Sequence, residues 1–178
     1  MKKQIEETLH CLIGHPFWGV GRIANLLTFQ FGPHQVRTNR RGKPYEVGTY
    51  VLHVQCVWHL ADAQRILAAS GDLSYRLSKI DEEMSNADGG IYAWSKTESS
   101  LLDERLFHFF HQHENMPFPV QAVRADEYGG LIIALSENHR LAVFPDTSLA
   151  EECWRFFQLG TDLPHLVVTG QGLEDQGA

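Results

Sequence analysis

The clearest element of the chain is the segment 49–60, where hydrophobic and polar residues alternate with a period of two. The apolar parity consists of Leu52, Val54, Cys56, Trp58 and Leu60. The other parity carries two histidines and a glutamine, at His53, Gln55 and His59. Because successive side chains of a strand point to opposite faces, this pattern predicts a β-strand with one buried face and one polar face.

Other segments also have the pattern of strands. Over residues 21–31, Ile23, Leu27, Phe29 and Phe31 share one parity, which predicts a second strand. Residues 32–48 contain glycines, prolines and a basic run, so we expect a surface loop between these two strands. Shorter strands are predicted at residues 64–69, 73–77, 120–125, 130–135, 140–144 and 166–169.

Three helices are predicted. Residues 3–13 form a short amphipathic pattern, and residues 100–114 follow a capping-box arrangement of Ser100 and Asp103. A helix over residues 148–159 is expected from Ser148 and Glu151, which occupy capping-box positions before an apolar stripe. Residues 79–100 are polar, and we expect them to form a long irregular segment that leaves the sheet.

Hairpin-linked strands with few helices, instead of alternating βαβ units, predict an α+β fold. We expect a mostly antiparallel sheet of about 6–8 strands with two or three helices packed on one face. The chain of 178 residues has the size of one domain, so we predict a single α+β domain over residues 1–170. The flexible acidic tail is predicted at residues 171–178.

Composition narrows the classes of function. A formal net charge of −7 argues against nucleic-acid binding and favours a basic protein partner. The three cysteines form no C-x-x-C pair, and no apolar run reaches the length of a membrane span or a leader peptide. From the cysteine pattern and the lack of such a run we predict a cytoplasmic protein without a membrane segment. Glycine-rich phosphate loops are missing, so we predict no cofactor.

Pairing of the two longest predicted strands would create a polar sheet face. Arg22 and Gln30 could then join His53, Gln55 and His59 on one platform able to hold a carboxylate, a phosphate or a peptide backbone. The alternative is that this face is the solvated side of an antiparallel sheet.

Two other arrangements have weaker sequence support. Glu104, His108 and His111 lie at helical spacing and could converge on a metal ion, but they match no complete metal motif, and a solvent-facing stripe explains them equally well. Cys56 and His53 fall on opposite strand faces, so they are not expected to form a catalytic pair.

The segment from Gly21 to Gly32 (GRIANLLTFQFG), followed by the segment from Gly48 to Trp58 (GTYVLHVQCVW), resembles a family of small uncharacterised bacterial proteins. The resemblance implies a bacterial origin and a shared fold, and it carries no activity or site residues.

These observations favour a non-enzymatic binding or protein-interaction domain, of which an immunity-type protein that neutralises a toxin is one form. The alternative function is a small-ligand-binding protein or an enzyme that uses the polar sheet face around His53 and Gln55.

Overall fold

The computed structural model describes residues 1–39, 42–77, 100–113 and 116–174. These residues contain two α-helices, α1 (Lys2–Leu9) and α2 (Leu101–Gln112), and two 3₁₀ helices at His10–Leu12 and Ser70–Ser74. They also contain eleven strands: β1 (Pro16–Ile23), β2 (Leu26–Thr38), β3 (Pro44–Val54), β4 (Val57–Ala61), β5 (Ile66–Ala69), β6 (Phe118–Ala125), β7 (Leu131–Leu135), β8 (Arg140–Phe144), β9 (Glu152–Gln158), β10 (Leu166–Thr169) and β11 (Gly172–Leu173).

Several predicted elements are confirmed. The N-terminal helix is present, and α2 begins after Ser100 with reciprocal capping hydrogen bonds between Ser100 and Asp103. Five predicted strands correspond to β5, β6, β7, β8 and β10. The predicted excursion over residues 79–99 and the tail residues 175–178 lie outside the described residues.

The single strand predicted over residues 21–31 is wrong. The chain reverses at Ala24 and Asn25, and Ile23 pairs with Leu26 across this two-residue turn. Ala24 adopts a left-handed φ of 55°, a conformation that glycine or asparagine usually supplies in hairpin turns. Asn25 is a common turn residue, but Ala24 before it gives no turn signal, and the alternation on both sides concealed the hairpin.

The loop predicted over residues 32–48 is also wrong, because β2 and β3 extend through most of it as a long hairpin. The register of this hairpin shifts between Phe31 and His34, which marks a β-bulge. A Cβ atom on Gly48 would lie 2.6 Å from the carbonyl oxygen of Phe31. This glycine therefore permits close backbone approach inside a sheet, in a segment where the sequence predicts a loop.

Two further predictions fail near the ends of the sheet. The segment predicted as a helix over residues 148–159 contains strand β9, in which Trp154 and Phe156 are buried opposite Val54 and Leu52 of β3. Aromatic residues and cysteine suit a strand that packs on both neighbours better than they suit a surface helix. The strand predicted at residues 73–77 does not form. A 3₁₀ helix ends at Ser74, and Arg76 makes only an isolated antiparallel bridge with Ser100.

All paired strands run antiparallel in one sheet, with the order β11-β10-β9-β3-β2-β1-β6-β7-β8-β4-β5. The fold-class prediction is therefore corrected. The described residues contain eleven strands and two α-helices, not 6–8 strands with two or three helices packed on one face.

The sheet curls around its own core. Its two halves are hydrogen-bonded through a short pairing of β1 with β6, and the chain crosses from one half to the other at Gln55 and Cys56, between β3 and β4. The rings of Phe29 on β2 and Trp58 on β4 lie 5.1 Å apart. Both helices contribute buried side chains to the same cluster, so they close this core instead of covering one flat face.

Candidate functional site

The five residues of the predicted polar platform occupy four separate places. His53 on β3 lies opposite Thr28 of β2 and Arg155 of β9, on the outer face of the first half-sheet. Gln30 shares that face, because it is two residues from Thr28 on the same strand. Gln55 is exposed at the bend, and His59 belongs to the second half-sheet.

Arg22 does not join His53, contrary to the hypothesis of one shared face. It lies opposite Leu27, and Leu27 lies opposite Val54, so Arg22 faces the core side of the sheet. There its Nε and Nη2 atoms donate to the two carboxylate oxygens of Asp103, each at 3.0 Å. Arg22 thus fastens β1 to α2.

Gln30 has a structural hydrogen bond of its own. Its side chain is buried, and its Oε1 atom accepts from the backbone N–H of Gly48 at 2.9 Å. This contact satisfies a donor at the bulge between β2 and β3 that would otherwise be buried without a partner. The side chain of Gln30 therefore has a structural role in the sheet.

His53 is half-buried, with its ring 5.0 Å from the ring of Phe157 in an edge-on contact. Burial, and then the neighbouring Arg155 guanidinium, hold the pKa of His53 below its usual value. Arg155 itself hydrogen-bonds Glu152, with Nε and Oε1 2.8 Å apart. On this part of the outer face, a neutral His53 imidazole therefore lies beside Arg155, which already has Glu152 as its acidic partner.

The structure does not support a metal site formed by Glu104, His108 and His111. Glu104 and His108 line a cleft beside α2, whereas the ring of His111 stacks on Phe107 at 5.6 Å. Within the described ranges, no set of three or more histidine, cysteine or acidic side chains is arranged to hold a metal ion.

Cys56 faces the interior beside Trp58, as the alternation predicts. Burial, then the neighbouring Cys153 thiol and the Asp146 carboxyl, raise its pKa to about 12. A thiol in that state is a poor nucleophile at neutral pH, because the thiolate is the reactive form.

The feature that sequence reasoning missed is the outer face of the second half-sheet, which we call the open face. We define it by ten of the side chains that cross-strand pairing places there, from β4, β5, β6, β7 and β8. Its large apolar members are Val57, Ile132 and Phe144, which are 43%, 41% and 40% exposed. Its alanines are Ala69, Ala122, Ala134 and Ala142, and its basic members are His59, Arg124 and Arg140.

The charge of the open face is opposite in sign to that of the whole chain. None of its ten positions carries an acidic residue. Arg124 and Arg140 are exposed, and neither forms an ion pair or a side-chain hydrogen bond within the part of the chain that the structure describes. Burial, followed by Arg140, lowers the pKa of His59, whose ring lies 5.5 Å from that of Phe144. The open face is therefore mostly apolar, and its two arginines have no ion pair among the described residues.

Against known proteins, no family model, no curated protein and no solved structure matches this chain. The resemblance to a family of small bacterial proteins therefore stays a prediction. Across the described ranges, no helix combines the length and the apolar character needed to cross a lipid bilayer.

Proposed function

We propose that this protein is a non-enzymatic protein-interaction domain that docks a partner on the open face. The observation that carries the proposal is the exposure of Val57, Ile132 and Phe144 together on one sheet face. The solvent-exposed face of an antiparallel sheet normally carries polar side chains. Here seven of these ten positions are apolar, of which Ala142 alone is buried, and contiguous apolar surface of this kind typically marks an interaction site.

The charges of the open face specify the docking patch of the partner. Arg124 and Arg140 lack acidic neighbours on the face, so an acidic patch around an apolar side chain would complement them. A second copy of this chain fits poorly, because a two-fold contact through this face would bring unpaired arginines together. The net charge of −7 by itself would favour a basic partner, but the docking surface has the opposite sign.

We propose no catalytic role because the candidate catalytic and ligand-binding residues among those described have structural roles or are unreactive. Arg22 and Gln30 hold the fold together, and the thiol of Cys56 is buried with a raised pKa. A cytoplasmic location is part of the same proposal. All three cysteines are free thiols, which is typical of proteins in reducing compartments.

The apolar part of the proposal is tested with the double variant Ile132→Ser/Phe144→Ser. The protein and its variant are immobilised, exposed to extract of the native host, and the retained proteins are identified by mass spectrometry. Each retained protein is then purified and its affinity measured by calorimetry. We expect binding to weaken at least about 30-fold, because losing even one apolar interface anchor of about 2 kcal/mol has that effect. The control Tyr128→Ser/Leu163→Ser removes exposed apolar side chains elsewhere and should bind normally.

The charged part is tested with Arg124→Glu/Arg140→Glu against Lys2→Glu/Lys43→Glu, which changes the net charge equally at exposed sites off the face. We expect the first variant to lose the purified partner and the second to retain it. Wild-type binding should weaken as the salt concentration rises from 50 to 300 mM. Equal binding by the apolar variant, its control and the wild type would refute docking on the open face. Equal binding by the two charge variants would refute the acidic patch alone.

A further inference from the structure

His59 is the one titratable side chain of the open face that changes charge near neutral pH. On β4 it lies opposite Ala69 of β5 on one side and opposite Ala142 of β8 on the other, and both alanines belong to the same face. Its ring packs against that of Phe144, with the two ring centres 5.5 Å apart. A partner that covers the apolar side chains of the open face therefore also covers this imidazole.

Arg140 is the charged neighbour that acts on His59. On β8 it lies diagonally across from the imidazole, and diagonal neighbours of this kind are about 7–8 Å apart. On the β5 side the neighbour is the uncharged Ala69, whose N–H donates to Asp72, and Asp72 is already paired with Arg105. Burial has the larger effect on the pKa of His59 and Arg140 the smaller, and both lower it. The imidazole is therefore mostly neutral at pH 7.5.

We propose that docking on the open face is linked to protonation of His59, so that acid strengthens the binding of the partner. This inference rests on the proposed function, because the acidic patch that complements Arg124 and Arg140 supplies the negative charge. A carboxylate brought opposite Arg140 also lies near His59, where it favours the imidazolium. Docking removes water from the ring as well, which opposes the proton. The ring is already half-buried in the free protein, so the added charge outweighs the further loss of hydration.

The direction of the pH dependence follows from the two states of His59. In the free protein its pKa lies below the ordinary value, and a partner carboxylate raises it in the complex. Between these two values the complex holds a proton that the free protein does not hold. Binding then takes up a proton, so the dissociation constant falls as the pH falls. The carboxylates of the partner ordinarily titrate at about pH 4, so they stay charged at pH 5.5.

The test uses two peptide probes that differ only in charge, acetyl-Glu-Leu-Phe-Glu-amide and acetyl-Gln-Leu-Phe-Gln-amide. Each is titrated into ¹⁵N-labelled protein at pH 5.5 and at pH 7.5, and amide and imidazole shifts are followed by NMR. We expect the Glu peptide to bind the open face about threefold more tightly at pH 5.5, as one added ion pair at a half-exposed site provides. The Gln peptide should show no such gain. The titration midpoint of His59 should rise with the Glu peptide, whereas that of His53, on the first half-sheet, should not move.

Two variants separate the proton from packing. His59→Gln removes the titratable group, and we expect its affinity for the Glu peptide to be the same at both pH values. Arg140→Gln should raise the titration midpoint of His59 in the free protein, because the neighbouring cation is removed. No saturable shifts on the open face with the Glu peptide at either pH would count against the docking surface itself. Binding there that is equal at the two pH values or weaker in acid, or an unchanged His59 midpoint in Arg140→Gln, would overturn the proton linkage alone.

Discussion

The ion pair between Arg22 and Asp103 connects β1 to α2, and its removal gives a quantitative prediction. The substitution Arg22→Met keeps a long, unbranched apolar stem and removes the charge. Only 1% of the Asp103 side chain is exposed, so its carboxylate would remain buried after losing both guanidinium hydrogen bonds of 3.0 Å. An uncompensated buried charge is the expected source of instability.

The structure sets the size of the effect. Removing one partner of a buried ion pair destabilises a protein by about 3–5 kcal/mol. Two contacts of Asp103 survive, because the N–H and the hydroxyl of Ser100 each donate to its Oδ2 at 2.8 Å. In addition, 15% of the Arg22 side chain is exposed, so part of the pair is solvated. We therefore expect Arg22→Met to lower the free energy of unfolding by about 3 kcal/mol, at the lower end of the range.

Urea unfolding followed by circular dichroism measures this loss. With an m-value of about 2–3 kcal/mol/M, the midpoint should fall by about 1–1.5 M. The control Arg105→Met breaks the ion pair with Asp72, in which 41% of the arginine side chain is exposed, and should lower stability by at most about 1 kcal/mol. Adding Asp103→Asn to Arg22→Met should restore part of the stability, because the amide leaves no uncompensated charge. Equal losses from the two methionine variants would refute the reasoning.

Three further outcomes are expected. Gly48→Ala should lower the free energy of unfolding by about 3 kcal/mol, because its Cβ would lie 2.6 Å from the Phe31 carbonyl oxygen, and an unchanged melting temperature would contradict this. At pH 8 the thiolate fraction of Cys56 is about 10⁻⁴, given its pKa of about 12, so iodoacetamide should alkylate the exposed Cys11 first, as followed by mass spectrometry; equal rates would argue against burial. The lowered pKa of His53 predicts an NMR titration midpoint below about 6.5, with stability lost as pH falls from about 6.5 towards that midpoint, because the unfolded chain binds the proton first. A midpoint at or above 6.5 would mean that the folded ring is well hydrated.

In the segment 49–60, the period-two alternation correctly predicted which side chains are buried. Leu52, Val54, Cys56, Trp58 and Leu60 are all buried, as the pattern predicts. The pattern cannot reveal where a strand changes partners, because alternation continues across a bend. The sequence therefore predicted one strand where the chain supplies β3 to one half-sheet and β4 to the other.

Turn and bulge chemistry explains most of the other errors. Ala24 reverses the chain without a glycine or proline, and Gly48 stands inside a strand where glycine usually suggests a loop. The open face escaped notice for a different reason. In β7, Ile132 and Ile133 are both apolar, so neither parity is marked as exposed, and only cross-strand pairing assigns Ile132 to the outside.

Strand pairing also explains why the polar residues of the predicted platform do not meet. Histidine, glutamine and arginine in a strand predict a polar face, but the register of neighbouring strands decides which of them meet. Arg22 turned to the core because the hairpin at Ala24 reversed its strand, and its partner Asp103 comes from a distant helix. No local pattern could have paired them.

The crossing of the chain at Gln55 and Cys56 has a consequence for biosynthesis. β3 acquires its neighbour β9, and β4 its neighbour β8, only when segments from the last third of the chain are available. A ribosome that has released only the first hundred residues would present three unfinished sheet edges to the cell, because β1 also lacks its neighbour β6. Non-local pairing of this kind slows folding and exposes edges prone to aggregation. The nascent protein should therefore gain its native structure late, after its C-terminal strands emerge.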